Sequence, residues 1–211
     1  MSGAATPSAE FWEARYQAAP PQWGTQPNAA FVKVMEELRP SPGTALELGC
    51  GHGGDTLWLA SLGWRVTAVD VSATAVERVA AAARARGLGD QVTSVQCDVS
   101  QEIPAGEFSL VYACYFHSPV HIARDSILGA AASRVRADGL LVIVDHASAA
   151  PWSWTPHEHY QFPSPAGTLA AAGLGDGWQT ELAAARQRVA TGPDGITTAT
   201  VTDNVIAARR T

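Results

Sequence analysis

The chain has 211 residues, 46% of them apolar and 16% charged, which is enough for one domain with a substantial core. It carries 20 acidic against 14 basic side chains, a net charge of −6, and Lys33 is its single lysine; this balance argues against a nucleic-acid or anionic-membrane surface. Apolar runs reach about five residues, as at 140–144, whereas a bilayer span needs ~20. No basic-then-apolar leader opens the sequence, and Cys50, Cys97 and Cys114 form an odd, unclustered set. A cytoplasmic protein without a disulfide framework or metal centre is the expectation.

In chain order, Pro7–Ala18 reads as a helix with Thr6 as its cap and Pro7 in its first turn. A turn-rich stretch containing Trp23 leads to Asn28, which is placed to cap a second helix ending at Leu38, before Pro40 and Pro42. Residues 1–43 are thus predicted to form a helical cover, and 44–211 the main domain. A strand is predicted over Thr44–Leu48, then the glycine loop 49–54 and a helix to Leu62, which Gly63 closes. A second strand covers 65–69, and Ser72 caps a long alanine-rich helix ending at Gly87. Strands over 91–95 and 108–113 follow, then a helix over 122–135, an Asp138-Gly139 turn and a fifth strand over 140–145. Residues 147–164 carry three prolines, two tryptophans and two histidines without strand alternation, the mark of a functional loop. Ser164 and Pro165 restart a short helix. Two strands, 178–190 and 196–209, are joined by hairpin chemistry at Gly192, Pro193, Asp194 and Gly195. The alternation predicts a doubly wound, Rossmann-like α/β sheet of seven strands, mostly parallel, with an antiparallel C-terminal hairpin.

The glycine loop runs from Gly49 through Cys50, Gly51, His52 and Gly53 to Gly54, at a strand-to-helix junction where backbone can approach a ligand closely. Read as G-x-G-x-x-G, it suits a pyrophosphate at a helix N-terminus, and a nicotinamide-dependent oxidoreductase is one reading. Two acids favour another. Glu47 lies in the strand before the loop and would aim a carboxylate at the ligand, while Asp70 ends the second strand, placed for a ribose diol.

Glu47, Gly49, Gly51 and Gly53, then Asp70, then Cys97-Asp98-Val99 together resemble the class I S-adenosylmethionine-dependent methyltransferases. The segments around Phe11, Trp12, Arg15, Tyr16, Trp23 and Gly24, and around Phe116, His117, Ser118 and Pro119, are similar to the bacterial branch of tellurite-resistance and thiopurine methyltransferases. The resemblance implies S-adenosylmethionine as cofactor and S-adenosylhomocysteine as product. Gly49, Gly51 and Gly53 would line the methionine portion, with Cys50 a small filler among them and Glu47 near the amino group. Asp70 would bind the ribose, Val71 pack on the adenine, Asp98 accept from the adenine amino group and Val99 contact it. Cys114 and Tyr115 would face the amino-acid end. A non-catalytic protein that binds and senses the cofactor is the alternative within the same fold.

Methyl transfer is an in-line displacement that needs alignment and, for a hard nucleophile, a base. His117, just past the fourth strand, and His146, just past the fifth, are the candidate catalytic residues. His121, Trp152 and Trp154 are candidates for an acceptor pocket, and Trp12, Tyr16 and Trp23 for aromatic rings closing over a sulfonium. His157 and His159 are a weak metal pair, and no metal is assumed. No Asp/Asn-Pro-Pro-Tyr/Phe run follows the fourth strand, so a small-molecule acceptor rather than a nucleic acid is expected.

Overall fold

A computed structural model describes residues 6–18, 24–153 and 162–211. It contains helices α1 (Pro7–Ala18), α2 (Ala29–Leu38), α3 (Gly54–Ser61), α4 (Ala73–Ala85), α5 (Arg124–Ala132) and α6 (Pro165–Ala171). The strands are β1 (Thr44–Leu48), β2 (Arg65–Asp70), β3 (Val92–Gln96), β4 (Phe108–Cys114), β5 (Val135–His146), β6 (Trp178–Thr191) and β7 (Thr198–Arg210). They form one seven-stranded sheet in the order β3-β2-β1-β4-β5-β7-β6. The first five pair in parallel, and β7 is antiparallel to both β5 and β6. Among the described residues no helix is long and apolar enough to cross a membrane.

Strand alternation distributes the core over the two faces of the sheet. Ala45, Leu110, Tyr112, Val142 and Val144 face one cluster with α2, α3 and α4, while Leu46, Val111, Leu141 and Ile143 face the other with α5 and α6. Phe31 of α2 is fully buried and stacks on Tyr112, the ring centroids 4.5 Å apart. The capping signals read from sequence are used. Thr6 Oγ1 accepts from Ala9 N at 3.2 Å, the Asn28 side chain from Ala30 N and Phe31 N, and Ser72 Oγ from Ala75 N at 3.1 Å. Each such cap contributes ~1 kcal/mol.

The fifth strand differs from its expectation. Asp138 and Gly139 do not precede it as a separating turn; β5 begins at Val135, already paired with Phe108, and the two residues form an irregularity inside it. Asp138 takes φ 60°, and a Cβ on Gly139 would lie 2.7 Å from Val135 Cγ1, so local turn chemistry survives as a bulge within an extended segment. The helix before it is accordingly shorter than 122–135, covering Arg124–Ala132.

Chain order reverses between β1 and β4, whose neighbours lie on opposite sides. At such a switch point the strand ends diverge and leave a crevice at the carboxyl edge. The same alternation that sorts the core fixes what points there. Glu47 shares the face of Tyr112, and Asp203 of β7 lies opposite His146 of β5 in register.

Candidate functional site

Two adjoining cavities occupy the crevice, of about 90 and 640 Å³. They share Trp12, Tyr16, Gly49, Tyr115, His117 and Ser118 as walls and so form one continuous cleft. The larger lies within the size range of small-molecule sites.

The smaller cavity lies over the ends of β2 and β3. Asp70, Val71, Asp98 and Val99 line it, as the sequence reading requires of an adenosine site. Asp70 is 6% exposed; its two carboxylate oxygens accept from Gly51 N at 2.9 Å and Ser72 N at 3.0 Å. Burial pushes its carboxyl above the usual range against the pull of those N–H donors. Asp98 accepts from Ser100 N and, through its other oxygen, from Thr6 Oγ1 at 2.9 Å, so the start of α1 closes over it.

The larger cavity lies over β1, β4 and the start of α3. Glu47 is 3% exposed and receives the hydroxyls of Thr56 and Tyr112. Asp55, in the first turn of α3, accepts from Asn28 N at 2.5 Å. Burial, reinforced by Asp55, raises the Glu47 carboxyl well above its ordinary value, and burial raises Asp55. Among the described residues, none of Glu47, Asp55 and Asp70 has a cationic partner at ion-pair distance, and no lysine or arginine lines either cavity. Three buried carboxyls in one crevice without a cation are costly unless protonated or met by a positive ligand.

The glycines serve packing as well as ligand approach. Gly51 takes φ 53° and brings the loop so near α1 that a Cβ would lie 3.0 Å from Tyr16 Oη. Gly53 takes φ 79° beside Val79 of α4 and lines neither cavity, so its place is under the loop rather than against a ligand. Cys50 is buried and lines the larger cavity with its thiol raised by desolvation, which suits a filler and not a nucleophile. Cys114 also lines it.

At the end of β4 the chain turns sharply. Tyr115 takes φ 53°, a left-handed conformation costing roughly 1–2 kcal/mol for a residue with a Cβ. The turn sends the Tyr115 and His117 side chains to both cavities. His146 stacks on Tyr115, ring centroids 3.7 Å apart and planes within 12°, and the His117 ring lies 5.9 Å from His146. Burial holds both imidazoles down at about 4, helped at His117 by Arg124 and at His146 by His117, so both are neutral acceptors at pH 7. Behind His117, Asp145 Oδ1 approaches Nε2 at 3.4 Å while accepting from Arg124 Nη2 at 2.5 Å; its other oxygen accepts from Thr168 Oγ1.

α1 roofs the cleft. Trp12 and Tyr16 stack at 5.9 Å, and Trp12 Nε1 donates to Ser118 Oγ at 3.3 Å. Glu13 latches the helix to the start of α4, accepting from Ser72 Oγ at 2.7 Å and Thr74 Oγ1 at 2.6 Å; these bonds hold its carboxyl at about 2.

The crevice brings together His117 and His146 but not every candidate. His121 is exposed and lines neither cavity. Trp152 packs instead against Gly192 in the hairpin turn, within 3.1 Å of where a Cβ there would lie. Trp23, Trp154, His157 and His159 lie outside the described residues. Sequence reading missed Asp55, Asp145, Asp203, Arg124 and Arg188. Asp145 left a signal, since it follows the apolar run 140–144 where a charge needs a reason; Asp203, between Thr202 and Asn204, and the arginines left none.

Comparison with known proteins agrees with the fold. Residues 45–139 match the family described as a methyltransferase domain. A probable chloroplastic tocopherol O-methyltransferase of Oryza sativa subsp. japonica is 30% identical over 117 residues, covering 54% of this chain and 32% of that protein. The match thus spans about a third of that relative's length. A solved structure described by the conversion of a disulfide bond into a thioacetal group during echinomycin biosynthesis superposes with a TM-score of 0.72 at 24% identity, covering 96% of this chain and 92% of that one. The N-methyltransferase NodS of Bradyrhizobium japonicum, in complex with S-adenosylhomocysteine, gives 0.67 at 16% identity over 96% and 98% of the two chains. The architecture is the Rossmann-like methyltransferase fold.

Proposed function

We propose that this protein transfers a methyl group from S-adenosylmethionine to a heteroatom of a small-molecule acceptor, with S-adenosylhomocysteine as product. The observation that carries this reading is the set of buried carboxyls Glu47, Asp55 and Asp70, facing the cleft without a cationic partner among the described residues. Such a site suits a ligand bearing an ammonium and a sulfonium. It is a poor host for the pyrophosphate of a nicotinamide dinucleotide. When bound, S-adenosylmethionine supplies an electrophilic methyl group.

In this reading Asp70 takes the ribose hydroxyls on its remaining lone pairs, Val71 and Val99 sandwich the adenine and Asp98 accepts from its amino group. Gly49, Gly51 and Glu47 receive the amino-acid end beside Cys114 and Tyr115. α1, with Trp12 and Tyr16, excludes water and presents aromatic faces to positive charge. His117 and His146, neutral at pH 7, orient the acceptor and accept its proton where the nucleophile carries one. A weakly basic imidazole pair suits a soft nucleophile that needs little deprotonation. That is in keeping with the resemblance to the tellurite-resistance and thiopurine branch. The acidic balance and aromatic walls favour an uncharged small molecule over a nucleic acid, in the cytoplasm.

The test is thermal unfolding with S-adenosylmethionine, S-adenosylhomocysteine or NADH. A ligand at 100 times its Kd stabilises by about 2.7 kcal/mol, a rise of roughly 5–10 °C for a chain of this size. The proposal predicts that rise for the two adenosyl compounds alone; a rise with NADH alone overturns it.

A further inference from the structure

The terminal hairpin reaches into the cleft through one polar cluster that the site described above does not use. Tyr115 Oη donates to Asp203 Oδ1 at 2.8 Å, Arg188 Nη2 donates to Tyr115 Oη at 2.9 Å, and Arg188 Nε donates to Asp203 Oδ2 at 2.6 Å. Each of the three groups touches the other two. Asp203 is 1% exposed and stands opposite His146 in the β5–β7 register, its Oδ1 4.0 Å from His146 Nδ1. The Tyr115 ring, anchored at its far end by this loop of bonds and at its backbone by Tyr115 N donating to Val144 O, carries the His146 ring flat on its face. A buried ion pair is a weak source of stability, because desolvation offsets its attraction. Its geometric effect is strong: an Arg fork and a carboxylate fix a phenol in one place.

We infer that Asp203 and Arg188 are positioning residues of the acceptor site, holding Tyr115 in its left-handed turn and, through the stacked Tyr115 ring, setting His146 in the wall of the larger cavity. The inference rests on the methyl-transfer reading for its purpose, but its geometry stands without it. Among the described residues, the charged and titratable groups facing His146 are Tyr115 from the end of β4, His117 beyond it, Asp145 on β5, Asp203 on β7 and Arg188 on β6. Of these, the pair on β6 and β7 reaches the Tyr115 hydroxyl. The hairpin is therefore more than a cap on the sheet edge. It sets the wall that an acceptor would meet.

Histidine-ring NMR of the full chain tests this, with His146→Gln identifying the His146 signals. In the wild type those signals carry the upfield ring-current displacement of a ring stacked on Tyr115. Asp203→Asn and Tyr115→Phe are each expected to reduce or abolish that displacement, Tyr115→Phe while keeping an aromatic ring in place. Arg186→Gln, on the same strand as Arg188, removes an exposed pair with Glu37 of α2; it is the control and is expected to leave the displacement unchanged. If Asp203→Asn does not fold, Tyr115→Phe decides alone. His146 signals that stay at their wild-type positions in the folded variants, or that move equally in Arg186→Gln, overturn the inference. Calorimetry with S-adenosylhomocysteine on the same samples separates the two readings: a wild type that fails to bind it refutes the methyl-transfer proposal and leaves the positioning result to stand on the NMR.

Discussion

Replacing Glu47 by glutamine is expected to make the unliganded protein more stable and its ligand complex weaker. Both hydroxyl donors to Glu47, from Thr56 and Tyr112, reach the same oxygen, Oε2. An amide oxygen accepts both, so Glu47→Gln keeps the hydrogen bonds and removes only the charge. The carboxyl is buried, has no cation beside it among the described residues and is raised well above its ordinary value, so its ionised form opposes folding. The sign follows from proton counting. Between the unfolded value, near 4.3, and the raised folded one, the folded state holds a proton that the unfolded state has lost, so stability falls as pH rises. Urea unfolding should therefore find the variant and wild type alike at pH 4. At pH 8 the variant should be more stable by about 1–3 kcal/mol, the scale of an uncompensated buried polar group. Calorimetry with S-adenosylhomocysteine should show the opposite order. Loss of a charge-assisted bond to the ammonium costs about 1.5–3 kcal/mol, roughly 10- to 150-fold in Kd. A variant less stable than wild type at pH 8, or one binding the ligand equally well, refutes the reasoning.

Asp70→Ala should abolish detectable binding of S-adenosylhomocysteine, since it removes the acceptor that also holds Gly51 N and Ser72 N; His117→Ala should leave that binding within about threefold, because it takes away a neutral wall residue and no charged acceptor. Glu13→Ala should raise the ligand's dissociation rate in stopped-flow fluorescence by releasing α1 from α4. The ratio of that rate to the wild-type rate should be constant between pH 5 and 9, because the Glu13 carboxyl, held at about 2, keeps its charge throughout. His117 and His146, held at about 4, are neutral in the fold, so stability from this source is complete above the unfolded value near 6.5 and is lost as pH falls toward 4; two-dimensional NMR should show both rings neutral at pH 6.

Much of this fold was legible because local signals and periodicity agree. Asn28 and Ser72 cap the helices they were read to cap, and the Gly192–Gly195 turn joins the strands it was read to join. The bulge at Asp138 and Gly139 was misread because a turn residue with positive φ and a bulge residue look alike in sequence; the pairing of Val135 with Phe108, 27 positions earlier, decides between them. The placement of Asp70, Val71, Asp98 and Val99 around one cavity was legible because these groups follow strand ends, where sequence position fixes spatial position. The acceptor half was not. Asp203 and Arg188 reach Tyr115 from 88 and 73 residues away, and only the order in which β7 and β6 join the sheet brings them there. Trp152 was drawn toward the pocket by its aromatic character, whereas packing on the hairpin turn claims it.

The direct measurement is a crystal structure grown with S-adenosylhomocysteine. The account predicts the ribose hydroxyls against the Asp70 carboxylate and the ammonium beside Glu47, under a closed α1. Electron density for the compound anywhere else, or a crevice holding only solvent at saturating ligand, contradicts it.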